Sequence, residues 1–120
     1  MSLRFTLIAV SLFLILPFAA WSQNYDRINQ IKKRLAATSD GVDQFVLLGD
    51  LAFEYRFAHP DSTIYYSNKA KALGEKLKLG LGLARPYNFI GVAYNYKGDR
   101  LAAYDAYTKA LEIGIEQLFP

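Results

Sequence analysis

The sequence predicts an all-α chain of antiparallel helix pairs stacked as a short α-solenoid, and three observations predict it. Apolar residues recur at three- and four-residue steps along five segments. Short breakers rich in Gly, Pro and Asp separate those segments, which makes consecutive helices antiparallel neighbours. Two packing patterns then recur about forty residues apart. No segment shows the two-residue alternation of a half-buried strand.

The first 22 residues are set apart. Met1–Arg4 is a short, weakly basic start, and Phe5–Trp21 (FTLIAVSLFLILPFAAW) carries no charge. Pro17 breaks the run, and Ala20 and Ser22 are small residues at the two positions a signal peptidase reads. Residues 1–22 therefore read as a signal peptide cleaved after Ser22, and the body of the protein is expected to be exported, periplasmic or secreted. The rival reading is an uncleaved membrane anchor. The apolar run is short for a span of about 20 residues. Yet Arg27, Lys32, Lys33 and Arg34 follow it closely while only Arg4 precedes it, a distribution that disfavours export of the following segment.

Composition narrows the function classes. Loss of residues 1–22 removes one of 14 basic side chains and leaves 13 against 11 acidic, a net charge of +2. That is too little to attract nucleic acid. The chain has no cysteine, so it has neither disulfides nor thiol chemistry, and stability rests on apolar packing.

The extra N-terminal segment, residues 23–41, begins with a helix over Asn24–Ala37 whose Ile28, Ile31 and Leu35 make one apolar stripe. Thr38–Gly41 ends it, with Ser39 or Asp40 as the N-cap of the next helix. That helix, Val42–Phe57, is apolar at Phe45, Leu48, Leu51, Ala52 and Tyr55. His59–Ser62 reads as a turn with Asp61 as a cap, before a helix over Thr63–Leu79 closed by Gly80. Gly80–Leu83 (GLGL) reads as a flexible joint. Pro86 sits in the first turn of a helix reaching Lys97, where its missing N–H costs little. Gly98-Asp99 marks a tight turn into a last helix, Arg100–Gln117.

Leu51–Tyr55 (LAFEY) and Ile90–Tyr94 (IGVAY) share the order apolar, small, two residues, Tyr. Tyr65–Leu73 and Asp105–Ile113 each place an aromatic shortly before Lys-Ala. Ala52 to Gly91 is 39 residues and Ala70 to Ala110 is 40. Small residues at Gly91, Ala103 and Ala110 mark close helix approach, with Tyr87, Tyr94 and Tyr107 filling the space beside them.

These residues resemble the tetratricopeptide repeat. The second copy, residues 84–117, has Tyr87, two residues, Ile90-Gly91, two residues, Tyr94, then Ala103, three residues, Tyr107, and Ala110. The first copy, residues 42–80, is looser: Leu48, Leu51, Ala52, Tyr55 and Ala70 fit, but Thr63 stands where an alanine is usual, and neither copy has the closing proline. The period near 40, against about 34 in the common repeat, resembles the variety with a longer second helix and a GLAR-type link, here Lys76–Arg85 (KLKLGLGLAR). Similar arrays occur in exported sensor regions of bacterial histidine kinases and related regulators. The resemblance implies that the first helix of each pair lines a binding face. In the second copy that face carries Arg85, Asn88, Val92, Asn95 and Tyr96; in the first it carries Phe53 and Arg56.

No catalytic constellation emerges. His59 is the sole histidine and no cysteine exists to complete a metal site. Gly80-Leu81-Gly82 lacks the third glycine and the preceding strand of a dinucleotide loop. Ser62, Ser67 and Thr108 lack a relay, and Asp43, Asp50 and Glu54 read as solvated helix residues. The basic helix at 27–34 reads as the solvated face of a capping helix. Tyr55, Tyr87, Tyr94 and Tyr107 read as core. The expectation is thus a non-catalytic protein, without cofactor or metal, that binds a protein or extended peptide as a scaffold or sensor module. The alternative is a membrane-anchored sensor or adaptor component, or a piece of a longer regulator. Apolar Leu118 and Phe119 near the end add an expectation of self-association through the last helix.

Overall fold

The computed structural model describes residues 24–120, so the signal segment read at residues 1–22 lies outside the described residues. Residues 24–37 are helical and form α1. They are followed by α2 (Gly41–Tyr55), α3 (Pro60–Lys76), a 3-10 turn (Gly80–Leu83), α4 (Ala84–Lys97) and α5 (Arg100–Leu118). Among the described residues there is no strand. The chain divides into two units between Gln30 and Ile31; the packing described here is that of the second, Ile31–Pro120.

Local chemistry sets most helix ends. Asp40 caps α2 by accepting the Asp43 N–H at 2.9 Å, while its own N–H donates to Thr38 Oγ1 at 3.2 Å. Asp99 caps α5 through the Ala102 N–H at 3.0 Å. Gly98, at φ 82°, ends α4 in the left-handed conformation. There its N–H reaches the Asn95 carbonyl and that of Asp99 reaches the Tyr94 carbonyl, the paired bonds of a Schellman motif.

Three boundaries differ from the sequence reading. The helix read as Val42–Phe57 ends at Tyr55, where the Arg56 N–H turns to the Phe53 carbonyl. Pro60–Ser62 is not a turn but the first turn of α3, because proline at the first helical position needs no N–H partner. Asp61 is therefore inside the helix and caps nothing; it pairs with Lys97 instead. At the other end α3 stops at Lys76, before Gly80. Lys78, at φ 56°, takes the left-handed position, with Lys78 N–H to Glu75 O and Leu79 N–H to Gly74 O. The joint expected to be flexible is the 3-10 turn Gly80–Leu83, held by Gly82 N–H to Leu79 O at 3.0 Å.

Consecutive helices pack on one another: α2 on α3, α3 on α4 and α4 on α5. In addition α2 touches α4, whereas α3 and α5 do not meet. The second helix of each pair is narrow where it is buried. In α3 the buried residues are Thr63, Ser67, Ala70 and Gly74; in α5 they are Ala103, Ala106, Ala110 and Ile113. Large side chains come from the other helices and dock onto these rows. Phe45 and Leu48 of α2 form the core cluster with Ala70, joined by Leu35, Tyr66, Leu73 and Leu79. A Cβ at Gly74 would stand 2.9 Å from the Phe45 ring and 2.8 Å from Leu83. In the second pair the roles reverse: a Cβ at Gly91 would stand 2.6 Å from the Tyr107 ring.

The tyrosines expected in the core are corrected by this geometry. Tyr55, Tyr87 and Tyr94 are half-buried and Tyr107 is 39% exposed. Rows of small residues bring the helices close, leaving the interior to Leu51, Ala52 and Ala93 and holding the tyrosine rings at its margin.

Thr63, fully buried, explains its place at a position where alanine is usual. At the end of α2 the Arg56 N–H bonds to Phe53 O, which leaves the Ala52 carbonyl without that helical donor. The Thr63 hydroxyl donates to it at 2.9 Å. Replacing Thr63 by alanine should cost about 1–2 kcal/mol, since the buried carbonyl loses its donor. Thr63→Ser should cost less, and equal losses in urea denaturation of the two variants would refute the hydrogen-bond role. Gly91→Leu should destabilise by about 1–3 kcal/mol through overpacking against Tyr107, and adding Tyr107→Ala should recover part of the loss. A melting temperature unchanged by Gly91→Leu would remove Gly91 from the interface.

Candidate functional site: an aromatic–guanidinium ribbon on α2 and α4

Because α2 and α4 touch, residues from both share one surface. At its centre lie Phe53 of α2 and Phe89 of α4, ring centroids 5.9 Å apart. The Arg85 guanidinium lies over Phe89 at 5.3 Å. The Arg56 guanidinium lies 3.4 Å from the Phe53 ring centre and 4.2 Å from that of Phe57, which meets Tyr96 edge-on at 5.3 Å. Arg85, Phe89, Phe53, Arg56, Phe57 and Tyr96 are thus linked in one unbroken series of contacts.

Both guanidiniums are held in place. Arg85 donates to Asp50 Oδ1 at 2.9 Å, and Arg56 donates to the Phe53 carbonyl at 2.6 Å. Gly49 makes room for the first of these, since a Cβ there would stand 2.7 Å from Arg85 Nη1. Asp50, expected to be merely solvated, is the anchor that orients Arg85; its side chain is 30% exposed. The ribbon is accessible: Phe53 is 40% exposed, Tyr96 54% and Phe57 58%.

Of the seven residues expected on the binding face, Phe53, Arg56, Arg85 and Tyr96 are brought together here. Asn88 and Asn95 are exposed and Val92 is half-buried on the same helix, α4. Sequence reasoning missed Phe57 and Phe89. Their signal is the four-residue spacing to Phe53 and to Arg85, which stacks each pair on one helix face.

A second aromatic cluster sits beside the first pair. Tyr55 and Tyr66 stack at 5.7 Å with rings 4° from parallel, Tyr65 meets Tyr66 edge-on, and His59 packs edge-on against Tyr55. Hydrogen bonding to Tyr55 raises the Lys32 pKa, and hydrogen bonding to Tyr65 raises that of Lys69. Lys97 is raised by its hydrogen bond to Asp61, and Lys109 by its bond to Glu112. These shifts favour the charged form, opposite to what a general-base or Schiff-base lysine requires. Among the described residues no group of three or more His, Asp or Glu side chains is placed to hold a metal. Ser67 Oγ is buried without a hydrogen-bond partner.

None of the family models, curated proteins or solved structures compared with the chain matches it.

Proposed function

We propose that the protein is an exported, non-catalytic helical-repeat module that binds a protein segment or extended peptide on the α2/α4 face. The observation that carries this reading is the continuous, half-exposed ribbon from Arg85 to Tyr96. Aromatic and arginine side chains held rigid before binding lose little entropy on contact and dominate the energetics of recognition surfaces. The exposed amides of Asn88 and Asn95 on α4 offer donors and acceptors to a peptide backbone.

The arrangement of helices supports the resemblance to tetratricopeptide repeats. The first helices of the two pairs meet and the second helices do not, as in an array whose first helices line the inner face. Export rests on the signal-like residues 1–22. The anchored alternative rests on the basic residues from Arg27 to Arg34 that follow the apolar run, and among the described residues no helix is long and apolar enough to cross a membrane. Terminal sequencing of the protein recovered from an exporting bacterium should find Gln23 first; recovery in the membrane with Met1 intact would favour the anchored form.

The binding reading is tested by panning a displayed random-peptide library on the protein and measuring the selected peptides against variants. Tyr96→Ala and Phe53→Ala should each weaken binding roughly tenfold or more, about 1.4 kcal/mol. Lys69→Ala on α3 should leave it unchanged. Affinity insensitive to both ribbon variants would place binding elsewhere.

A further inference from the structure

The last helix presents two faces of different kinds. Ala103, Ala106, Ala110 and Ile113 are buried against the rest of the fold. On the opposite side Leu101 is 72% exposed, Tyr104 66%, Leu111 64%, Ile115 52% and Leu118 64%, with Thr108 half-buried in the same row. At about 100° per residue the centre of this row lies roughly 150° from the centre of the buried one. Single exposed leucines are ordinary on a protein surface, whereas a contiguous apolar row is a contact surface. The outward face of α3, by contrast, is mostly polar: besides Tyr65 and Ala72 it carries Asp61, Asn68, Lys69, Glu75 and Lys76.

The steps along the row are three, four, three, four and three residues, from Leu101 through Tyr104, Thr108, Leu111 and Ile115 to Leu118. That is the 3.5-residue period of a two-helix seam, in which side chains of one helix interlock with those of another. We propose that the row is the seam of a homodimer, in which α5 of two copies packs antiparallel about a two-fold axis.

Three features favour a second copy as the occupant. The spacing reads the same from either end, so a two-fold rotation sets Leu101 against Leu118 of the other copy, Tyr104 against Ile115 and Thr108 against Leu111. All six layers are filled only in this register, and a shift by one heptad leaves two of the six in each copy without a partner. The row, which contains no charged residue, offers on the order of 600 Å² of side-chain surface per copy. Complete cover of the row in both copies would bury at most about 1,200 Å², which reaches the lower bound for a stable interface. The antiparallel arrangement also opposes the two helix dipoles, where a parallel one would align them and bring both Arg100 side chains to one end. The inference does not rest on the peptide-binding reading, because the seam uses no residue of the ribbon.

The absence of cysteine from the chain makes introduced thiols clean probes. In the full chain, Thr108→Cys lies beside the two-fold axis and should form a disulfide-linked dimer under mild oxidation. A mixture of Leu101→Cys and Leu118→Cys chains should cross-link between unlike copies. Leu101→Cys alone should not, since its two copies stand about 25 Å apart, 17 residues at about 1.5 Å each. Adding Leu111→Lys, at an exposed position, should abolish the Thr108→Cys cross-link while the circular dichroism spectrum stays helical. Failure of every thiol pair to cross-link would overturn the proposal, as would a Thr108→Cys cross-link that survives Leu111→Lys. Efficient cross-linking of Leu101→Cys alone would overturn the antiparallel geometry.

Discussion

Close approach of paired helices is the constraint on which the rest of this structure depends. The second helix of each pair meets its neighbours through a row composed mainly of small residues, Thr63 to Gly74 in α3 and Ala103 to Ile113 in α5. Interiors are packed to crystal-like density, so small rows demand matching large residues from the facing helix. Phe45 of α2 meets that demand over Gly74 of α3; in the second pair the roles reverse, with Tyr107 of α5 over Gly91 of α4. With α3 held close to both α2 and α4, those two helices are drawn into contact with each other. The ribbon of Phe53, Phe89 and their arginine neighbours exists because of that contact.

The two copies of the pattern satisfy the constraint with different residues. Where the second copy has Gly91 and Tyr107, corresponding positions of the first have Ala52 and Ser67. A missing side chain beside a large ring is replaced by two small side chains. Thr63 stands where the second copy has Ala103, and its hydroxyl takes on the Ala52 carbonyl that the tightened end of α2 leaves open. The copies are alike in spacing and distinct in content, which lets each depart from a common pattern while the helices keep their separation.

Local features were the ones legible from sequence. Asp40, Gly98 and Asp99 act through residues three to five positions away, so their roles as caps and turn can be read from neighbours alone. Lys78 could not be read this way. A lysine in the left-handed conformation goes against its intrinsic preference, and its place is set by the contacts of the following turn rather than by its own chemistry. The ribbon was legible in part, because the pairs Phe53–Phe89 and Phe57–Tyr96 join residues 36 and 39 positions apart in the chain. Helical spacing marks both rows of α5 equally. The small residues Ala103 and Ala110 mark the inward one in the sequence, whereas the joint exposure of Leu101 to Leu118 is visible only in the fold.

Every extensive helix contact in this structure is between neighbours in sequence, with the connection between α2 and α4 the only one that skips an element among the four helices from Gly41 onward. Such a chain closes only short loops as it folds, and short loops close within about 0.1 µs. The search for native contacts is correspondingly brief: local helical topologies reach the folded state in microseconds to milliseconds. Each helix can dock as soon as its successor has formed, without waiting for a distant partner. Under the exported reading proposed above, in which the chain is threaded through a membrane in extended form, contacts between sequence neighbours allow each helix to dock in the order in which residues emerge.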